Sequence, residues 1–178
     1  MPASYRDRLL EVVEKKGSRV CVGLDPRYES LPEELRRDVE ERAGEAPAIA
    51  RAEAFRLFCR GVCEAVAPHA AAVKPQFAFF EEAGPAALAA LVDVVHHARR
   101  LGLLVIGDAK RGDIGSTARA YAGAFLGPEA PWPVDALTVN PYLGYDAVEP
   151  FLKSAAAEGK GVYLLVRTSN PGAVDVQD

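Results

Sequence analysis

Short apolar runs and stretches with helical spacing alternate along this chain. The apolar runs predict five buried strands, at 19–25, 70–76, 103–110, 135–140 and 161–167. Apolar positions three or four residues apart predict helices between these strands, at 48–67, 85–100, 116–125 and 146–157. A further amphipathic helix is predicted before the first strand, where Ser4 and Asp7 form a capping pair. This alternation predicts the α/β class, with parallel strands covered by helices.

Polar side chains cluster where each predicted strand ends. They are Asp25, Lys74 with Gln76, Asp108 with Lys110, Asn140, and Thr168 with Ser169. In a (β/α)8 TIM-type barrel the carboxyl ends of the strands carry the active site, whereas an open doubly wound sheet gathers its ligand at one switch point. Polar residues at every strand end therefore favour the barrel.

The segment VIGDAKRGDIGST, residues 105–117, has the densest candidate chemistry. It places Asp108, Lys110 and Asp113 where a strand gives way to a helix, and strand alternation directs Asp108 and Lys110 to the same side. Two other interpretations remain open. The motif alone fits a solvated ion-pair cluster, and the two acids could bind a divalent metal, although the intervening lysine supplies a competing positive charge.

Composition and charge restrict the class of protein. The chain has 178 residues, 49% of them hydrophobic and 26% charged, with a formal net charge of −4, which predicts one globular domain over 1–178. Charges of both signs are mixed throughout, so we expect neither nucleic acid nor a membrane as a partner. The charged start of the chain lacks the apolar core of a signal peptide, and we expect a cytoplasmic protein.

The three cysteines fit a reducing compartment. Cys59 and Cys63 lie four residues apart within a predicted helix, and we expect them to pack as small apolar side chains. A metal site at this pair is the alternative, but no nearby histidine completes a tetrahedral set. We therefore predict no metal at this cysteine pair.

Five motifs together resemble orotidine 5'-phosphate decarboxylase. They are GLDPR at 23–27, VKPQFAFFE at 73–81, DAKRGDIGST at 108–117, VNPYLG at 139–144 and RTSNPGA at 167–173. They occur in the family's order across nearly the whole chain, and the VKPQ spelling and the long segment after the first motif are similar to the family's type 2 branch. The resemblance implies conversion of orotidine 5'-phosphate to uridine 5'-phosphate in pyrimidine synthesis, without a metal or organic cofactor.

The resemblance assigns chemical roles to three charged residues. Lys110 is implied as the proton donor to C6 of the pyrimidine, where an ammonium group stabilises negative charge as it develops. Asp108 would lie beside the departing carboxylate, and Lys74 would hold the acids and the ribose in register. Asp25 and Gln76 resemble ribose-contacting positions.

The resemblance also implies an active site shared between two subunits. Asp113, Ile114 and Thr117 would reach the neighbouring subunit's site, which makes the working unit a symmetric homodimer. Ser169 resembles the residue that hydrogen-bonds the amide edge of the pyrimidine.

The family's barrels have eight βα units, and this sequence contains motifs for about five. The absent units carry the phosphate-binding residues and the mobile loop, so we expect part of a longer protein, with little activity in the 178 residues alone. Two alternatives remain: a truncated, non-catalytic barrel fragment, or a Mg²⁺-dependent sugar-phosphate decarboxylase or aldolase of the same superfamily. Open sheet edges would make a truncated product prone to aggregation, which favours the longer parent.

Overall fold

Each strand of the sheet pairs with the strand that follows it in the sequence. The computed structural model describes residues 2–178 and contains five parallel strands in the order β1-β2-β3-β4-β5. The strands are β1 Cys21–Leu24, β2 Ala72–Pro75, β3 Leu104–Arg111, β4 Ala136–Val139 and β5 Gly161–Leu164. The predicted α/β class is therefore confirmed, and neighbouring strands follow one another as they do in a (β/α) barrel.

Helices connect the strands and precede the first of them. They are α1 Tyr5–Lys16, α2 Glu33–Ala43, α3 Pro47–Val66, α4 Phe77–Glu82, α5 Pro85–Arg100, α6 Gly115–Leu126, α7 Tyr145–Ala157 and α8 Val174–Gln177. Two short 3₁₀ turns lie at Tyr28–Ser30 and Pro171–Ala173. Within residues 2–178, none of the helices combines the length and apolarity needed to span a membrane.

The two faces of the sheet have different environments because successive strand residues alternate sides. Val73, Val105 and Leu137 are buried in the main core, together with helix residues such as Phe55 and Leu91. The opposite face carries a smaller apolar cluster, formed by Ala72, Leu104, Ile106 and Ala136. Helix α1 packs on this second cluster through Tyr5, Leu9 and Val12.

Helix α1 is fastened to the sheet by a buried ion pair. Arg8 Nη1 donates to Asp135 Oδ1 at 2.6 Å, and Nη2 donates to the Gly159 carbonyl at 3.1 Å. The other oxygen of Asp135 accepts the Val105 N–H at 2.9 Å, so this buried carboxylate is neutralised and hydrogen-bonded. The helix thus closes one end of the second face, at the amino ends of β3 and β4.

Most predicted elements are confirmed, and three helices were not anticipated: α2, α4 and the four-residue α8. The predicted helix at 85–100 coincides with α5, and Ser4 Oγ accepts the Asp7 N–H at the start of α1. Helix α2 lies in a highly charged segment and fully buries only Val39, while Leu35 and Ala43 on the same side are partly buried against the core. Helix α4 is only six residues long and follows β2 almost directly.

Two of the three cysteines pack as predicted. Cys59 and Cys63 on α3 are fully buried, and Cys21 on β1 is exposed. Burial raises the pKa of the Cys59 thiol to about 12 and that of Cys63 to about 11. Both side chains therefore serve as apolar core groups.

Candidate active site

Asp108 lies at the centre of a cluster of polar side chains near the carboxyl ends of β2, β3 and β4. The face that carries Ala72, Ile106 and Ala136 continues two residues further along each strand. Those next positions are Lys74, Asp108 and Thr138. The candidate site and the apolar surface under α1 are therefore successive layers of one face.

Four donors surround the Asp108 carboxylate. Oδ2 accepts from Lys74 Nζ at 2.7 Å and from Gln76 Nε2 at 3.0 Å. Oδ1 accepts from Lys110 Nζ and from the Thr138 hydroxyl, the latter at 3.2 Å. A carboxylate has about four lone-pair positions, so its acceptor capacity is filled. Asp108 is 6% exposed, and this full set of partners makes its burial tolerable.

The charges around Asp108 determine its protonation state. Burial acts to raise the pKa of this carboxyl, but hydrogen bonds and charges from Lys110 and Lys74 outweigh burial, and the net pKa lies below the ordinary value. The group is therefore an anion at neutral pH. The lysine side chains retain 34% (Lys74) and 46% (Lys110) exposure, so both ammonium groups have donors free to meet a ligand.

The backbone of Lys110 has an unusual conformation. Its φ of 47° lies in the left-handed region, and it is the only residue other than glycine with positive φ in the part of the chain described. The β3–β4 register shifts between Gly107 and Arg111. We predicted that simple strand alternation would place Asp108 and Lys110 on the same side. Their side chains do meet, but across this irregularity.

Asp113 lies outside the polar cluster that surrounds Asp108 in the same chain. Its Oδ1 accepts the N–H of Ile114 at 2.7 Å, and it forms no ion pair within residues 2–178. Ile114 is 57% exposed, and Thr117 on the first turn of α6 is also exposed. The predicted contribution of this segment to a neighbouring subunit remains a prediction.

The remaining predicted site residues lie at the same strand ends but apart from the cluster. Asp25 follows β1 and is exposed, and Ser169 is exposed in the segment after β5. Gln76 belongs to the cluster through its bond to Asp108. The Asn140 side chain accepts the Tyr142 N–H at 3.0 Å and closes a local turn.

Two residues of the site were missed by the sequence analysis. Thr138 lies next to Asp108, and Arg111 donates to the Ala109 carbonyl at 2.9 Å while pairing with Glu81. The Arg111 guanidinium also stacks 5.7 Å from the centre of the Tyr121 ring. Thr138 could have been found from the sequence, because it lies two residues after Ala136 and therefore on the same face of the sheet. The pairing of Arg111 with Glu81 has no sequence signal.

Metal-ligating residues do not converge in the part of the chain that the structure describes. No group of three or more His, Cys, Asp or Glu side chains could hold a metal ion among residues 2–178. The site instead combines two ammonium groups with one carboxylate. This arrangement suits a reaction in which negative charge develops on a substrate.

The fold and the site together define a class of protein. Parallel strands in sequential order, with charged side chains at their carboxyl ends, are the arrangement of (β/α)-barrel enzymes. Residues 18–178 match the profile of the orotidine 5'-phosphate decarboxylase / HUMPS family. The chain belongs to this family.

Individual relatives show how far the similarity extends. An orotidine 5'-phosphate decarboxylase from Rhodopirellula baltica is 46% identical over 98% of this chain, and one from Corynebacterium glutamicum is 41% identical over 98%. The structure of the Leishmania donovani OMP decarboxylase superposes over 98% of the chain with a TM-score of 0.75 and 34% identity. The chain spans 58% of the length of each of these three proteins.

Proposed function

We propose that this chain carries the lysine–aspartate centre of an orotidine 5'-phosphate decarboxylase, a carboxy-lyase of uridine 5'-phosphate synthesis. The observation that carries the proposal is the buried Asp108 carboxylate held between the Lys74 and Lys110 ammonium groups. Family membership supports the same reaction, because the relatives named above bear that activity in their names. No metal or organic cofactor takes part in the proposed chemistry.

Lys110 is the proposed proton donor. Loss of carbon dioxide from the pyrimidine leaves the C6–CO₂ electron pair on C6, and an ammonium fixed beside that carbon stabilises the pair. Lys110 Nζ then transfers one proton to C6, which forms the C–H bond of the product and leaves a neutral amine. The side chain suits this role because it is anchored on Asp108 but remains partly exposed.

Asp108 and Lys74 prepare the site for that step. The Asp108 carboxylate would lie beside the substrate carboxylate, and their repulsion is relieved when carbon dioxide departs. Lys74 holds the other Asp108 oxygen at 2.7 Å, which keeps the carboxylate ionised and in place. Gln76, bonded to the same oxygen, and Asp25 are the proposed ribose contacts, and Ser169 is the proposed contact to the pyrimidine amide edge.

A decarboxylation assay tests the roles of these residues. In the longest natural polypeptide that contains these residues, we expect Lys110→Ala to lower the turnover of orotidine 5'-phosphate by at least about a thousandfold, measured by absorbance. Lys153→Ala is the matched control, because Lys153 pairs only with Glu149 on the exposed side of α7. A loss below about tenfold for Lys110→Ala would contradict the proton-donor role.

The metal requirement is tested in the same assay. We expect EDTA to leave turnover unchanged. Loss of turnover in EDTA, with recovery on addition of Mg²⁺, would overturn the proposed metal-free mechanism.

The second part of the proposal is a homodimer with shared active sites in the cytoplasm. Its support is the segment 113–117, where half-buried Asp113 and exposed Ile114 lie away from the chain's own cluster. A mixing experiment tests it, since a hybrid of Lys110→Ala and Asp113→Ala subunits regains one intact site. Equal mixing of two inactive variants should recover about a quarter of wild-type turnover if subunits exchange at random. No recovery after confirmed subunit exchange would refute a shared site.

A further inference from the structure

The β3–β4 pairing places three residues of one strand opposite one residue of the other. Gly107 pairs with Leu137 and Arg111 pairs with Val139, so Asp108, Ala109 and Lys110 face a single residue. That residue is Thr138. A bulge of this kind leaves backbone N–H groups without their usual ladder partners, and such groups must find other acceptors.

The Thr138 hydroxyl supplies those acceptors. Its Oγ1 accepts the N–H of Ala109 at 3.0 Å and the N–H of Lys110 at 2.9 Å. The hydroxyl proton is directed to Asp108 Oδ1 at 3.2 Å, with the Gly107 carbonyl at 3.4 Å as a second acceptor. A threonine hydroxyl has one donor and two acceptor positions, so all three are used.

These contacts stabilise a conformation that Lys110 would not adopt freely. The left-handed φ of 47° brings its Cβ close to the backbone, which is unfavourable for residues other than glycine. Such a conformation persists only when surrounding contacts hold it. In this conformation the Lys110 ammonium reaches back to Asp108 Oδ1, the oxygen that Thr138 also contacts.

We propose that Thr138 is a positioning residue whose hydroxyl fixes the bulge and thereby directs the Lys110 ammonium toward Asp108. This inference rests on the proposed function of Lys110 as proton donor. Thr138 makes no contact of its own with the reacting carbon. It acts by limiting the positions from which Lys110 can deliver a proton, and catalysis is sensitive to small misplacements of such groups.

Two substitutions separate the hydroxyl from the bulk of the side chain. Thr138→Val keeps the size and β-branching but leaves the Ala109 and Lys110 N–H groups without an acceptor. Thr138→Ser keeps the hydroxyl and serves as the matched control. Thermal unfolding of both variants first establishes that each is folded.

Amide hydrogen exchange in the 178-residue chain tests the positioning directly. We expect Thr138→Val to accelerate exchange at Ala109 and Lys110 by at least about tenfold, and Thr138→Ser to stay within about threefold of wild type. The carboxyl pKa of Asp108, followed by ¹³C NMR, should rise in Thr138→Val because hydrogen bonds that favour the anion weaken. Unchanged exchange at both amides, or equal acceleration along all of β3 and β4, would overturn the inference.

Turnover gives a second, independent readout. In the longest natural polypeptide we expect Thr138→Val to lower kcat by about tenfold or more with KM retained, and Thr138→Ser to restore kcat. An unchanged kcat in Thr138→Val would overturn the inference even if the amides exchange faster. If Lys110→Ala leaves turnover intact, the proposed function fails, whereas the exchange pattern still reports whether Thr138 holds the bulge.

Discussion

The Asp108→Asn substitution tests whether the buried carboxylate holds the polar cluster together. Asparagine has nearly the shape of aspartate but carries no charge and presents an NH₂ donor where one oxygen was. In the variant, Lys74 and Lys110 lose the anion that separates them. Each Asp108 oxygen accepts from two donors, so two of the four surrounding donors then meet another donor instead of an acceptor.

The contacts of Asp108 determine how much stability the Asp108→Asn substitution should cost. A hydrogen bond to a charged group contributes about 1.5–3 kcal/mol, and Asp108 accepts from two ammonium groups. Both lysines are partly exposed, so water screens these bonds and lowers their contribution. We therefore expect the free energy of unfolding to fall by about 3 kcal/mol, not the full sum. For a chain of this size that loss lowers Tm by about 6–12 °C.

The difference in unfolding free energy between wild type and Asp108→Asn should depend on pH in a definite direction. The pKa of Asp108 is lower in the folded state than the unfolded value of about 3.9, because the lysine partners stabilise the anion. The stabilisation is therefore fully present above about pH 4 and is lost as the pH falls through the folded-state pKa. In thermal unfolding followed by circular dichroism, the Tm difference between wild type and Asp108→Asn should be largest near pH 7 and should narrow toward about pH 3.

An exposed aspartate is the matched control. Asp38 on α2 pairs with Arg42 one turn later, at the surface, so Asp38→Asn should change the free energy of unfolding by less than about 0.5 kcal/mol. The reasoning would be refuted by an Asp108→Asn variant whose Tm lies within about 1 °C of wild type or above it at pH 7. A Tm difference between wild type and Asp108→Asn that stays constant from neutral to acidic pH would refute the assignment of Asp108 as a stabilised anion.

Two further predictions concern the rest of the chain. Arg8→Ala leaves the buried Asp135 carboxylate with the Val105 N–H but without its arginine partner. We expect urea titration to show that the free energy of unfolding falls by about 2 kcal/mol. A fall below about 0.5 kcal/mol would count against the buried pair. A thiol reagent at about pH 8 should modify exposed Cys21 before unfolding and the two buried thiols only after unfolding in guanidinium, because the reactive species is the thiolate. Desolvation also raises the pKa of Cys21, so its labelling should be slower than that of a free thiol. Rapid labelling of all three thiols in the folded chain would contradict the described core.

The sequence predicted the parts of the fold that depend on local pattern. The first four strands and the helices with a clear apolar stripe, such as α3 and α5, lie within a residue or two of their predicted bounds, whereas β5 ends at Leu164, three residues before its predicted end. Helix α2 was missed although Leu35, Val39 and Ala43 recur every four residues and pack on the core. Most of its other residues are charged, so the apolar stripe is narrow and the segment as a whole was interpreted as polar.

The candidate site was predictable in its charges but not in its backbone. Acid and base at the end of a buried strand indicated Asp108 and Lys110, and the VKPQ motif added Lys74 and Gln76. The bulge depends on the register between β3 and β4, which are separated by the whole of α6, so no local pattern reveals it. The role of Thr138 follows from that register alone.

The contacts of Arg8 on α1 with Asp135 and Gly159 determine when this part of the fold can form during synthesis. The partners of Arg8, Asp135 and Gly159, are made 127 and 151 residues after it. At about 5–20 residues per second, the ribosome needs about 8–30 s to span the longer separation. Until Ala136 is made, Leu9 and Val12 have no completed surface to cover, so the nascent helix leaves these apolar side chains exposed.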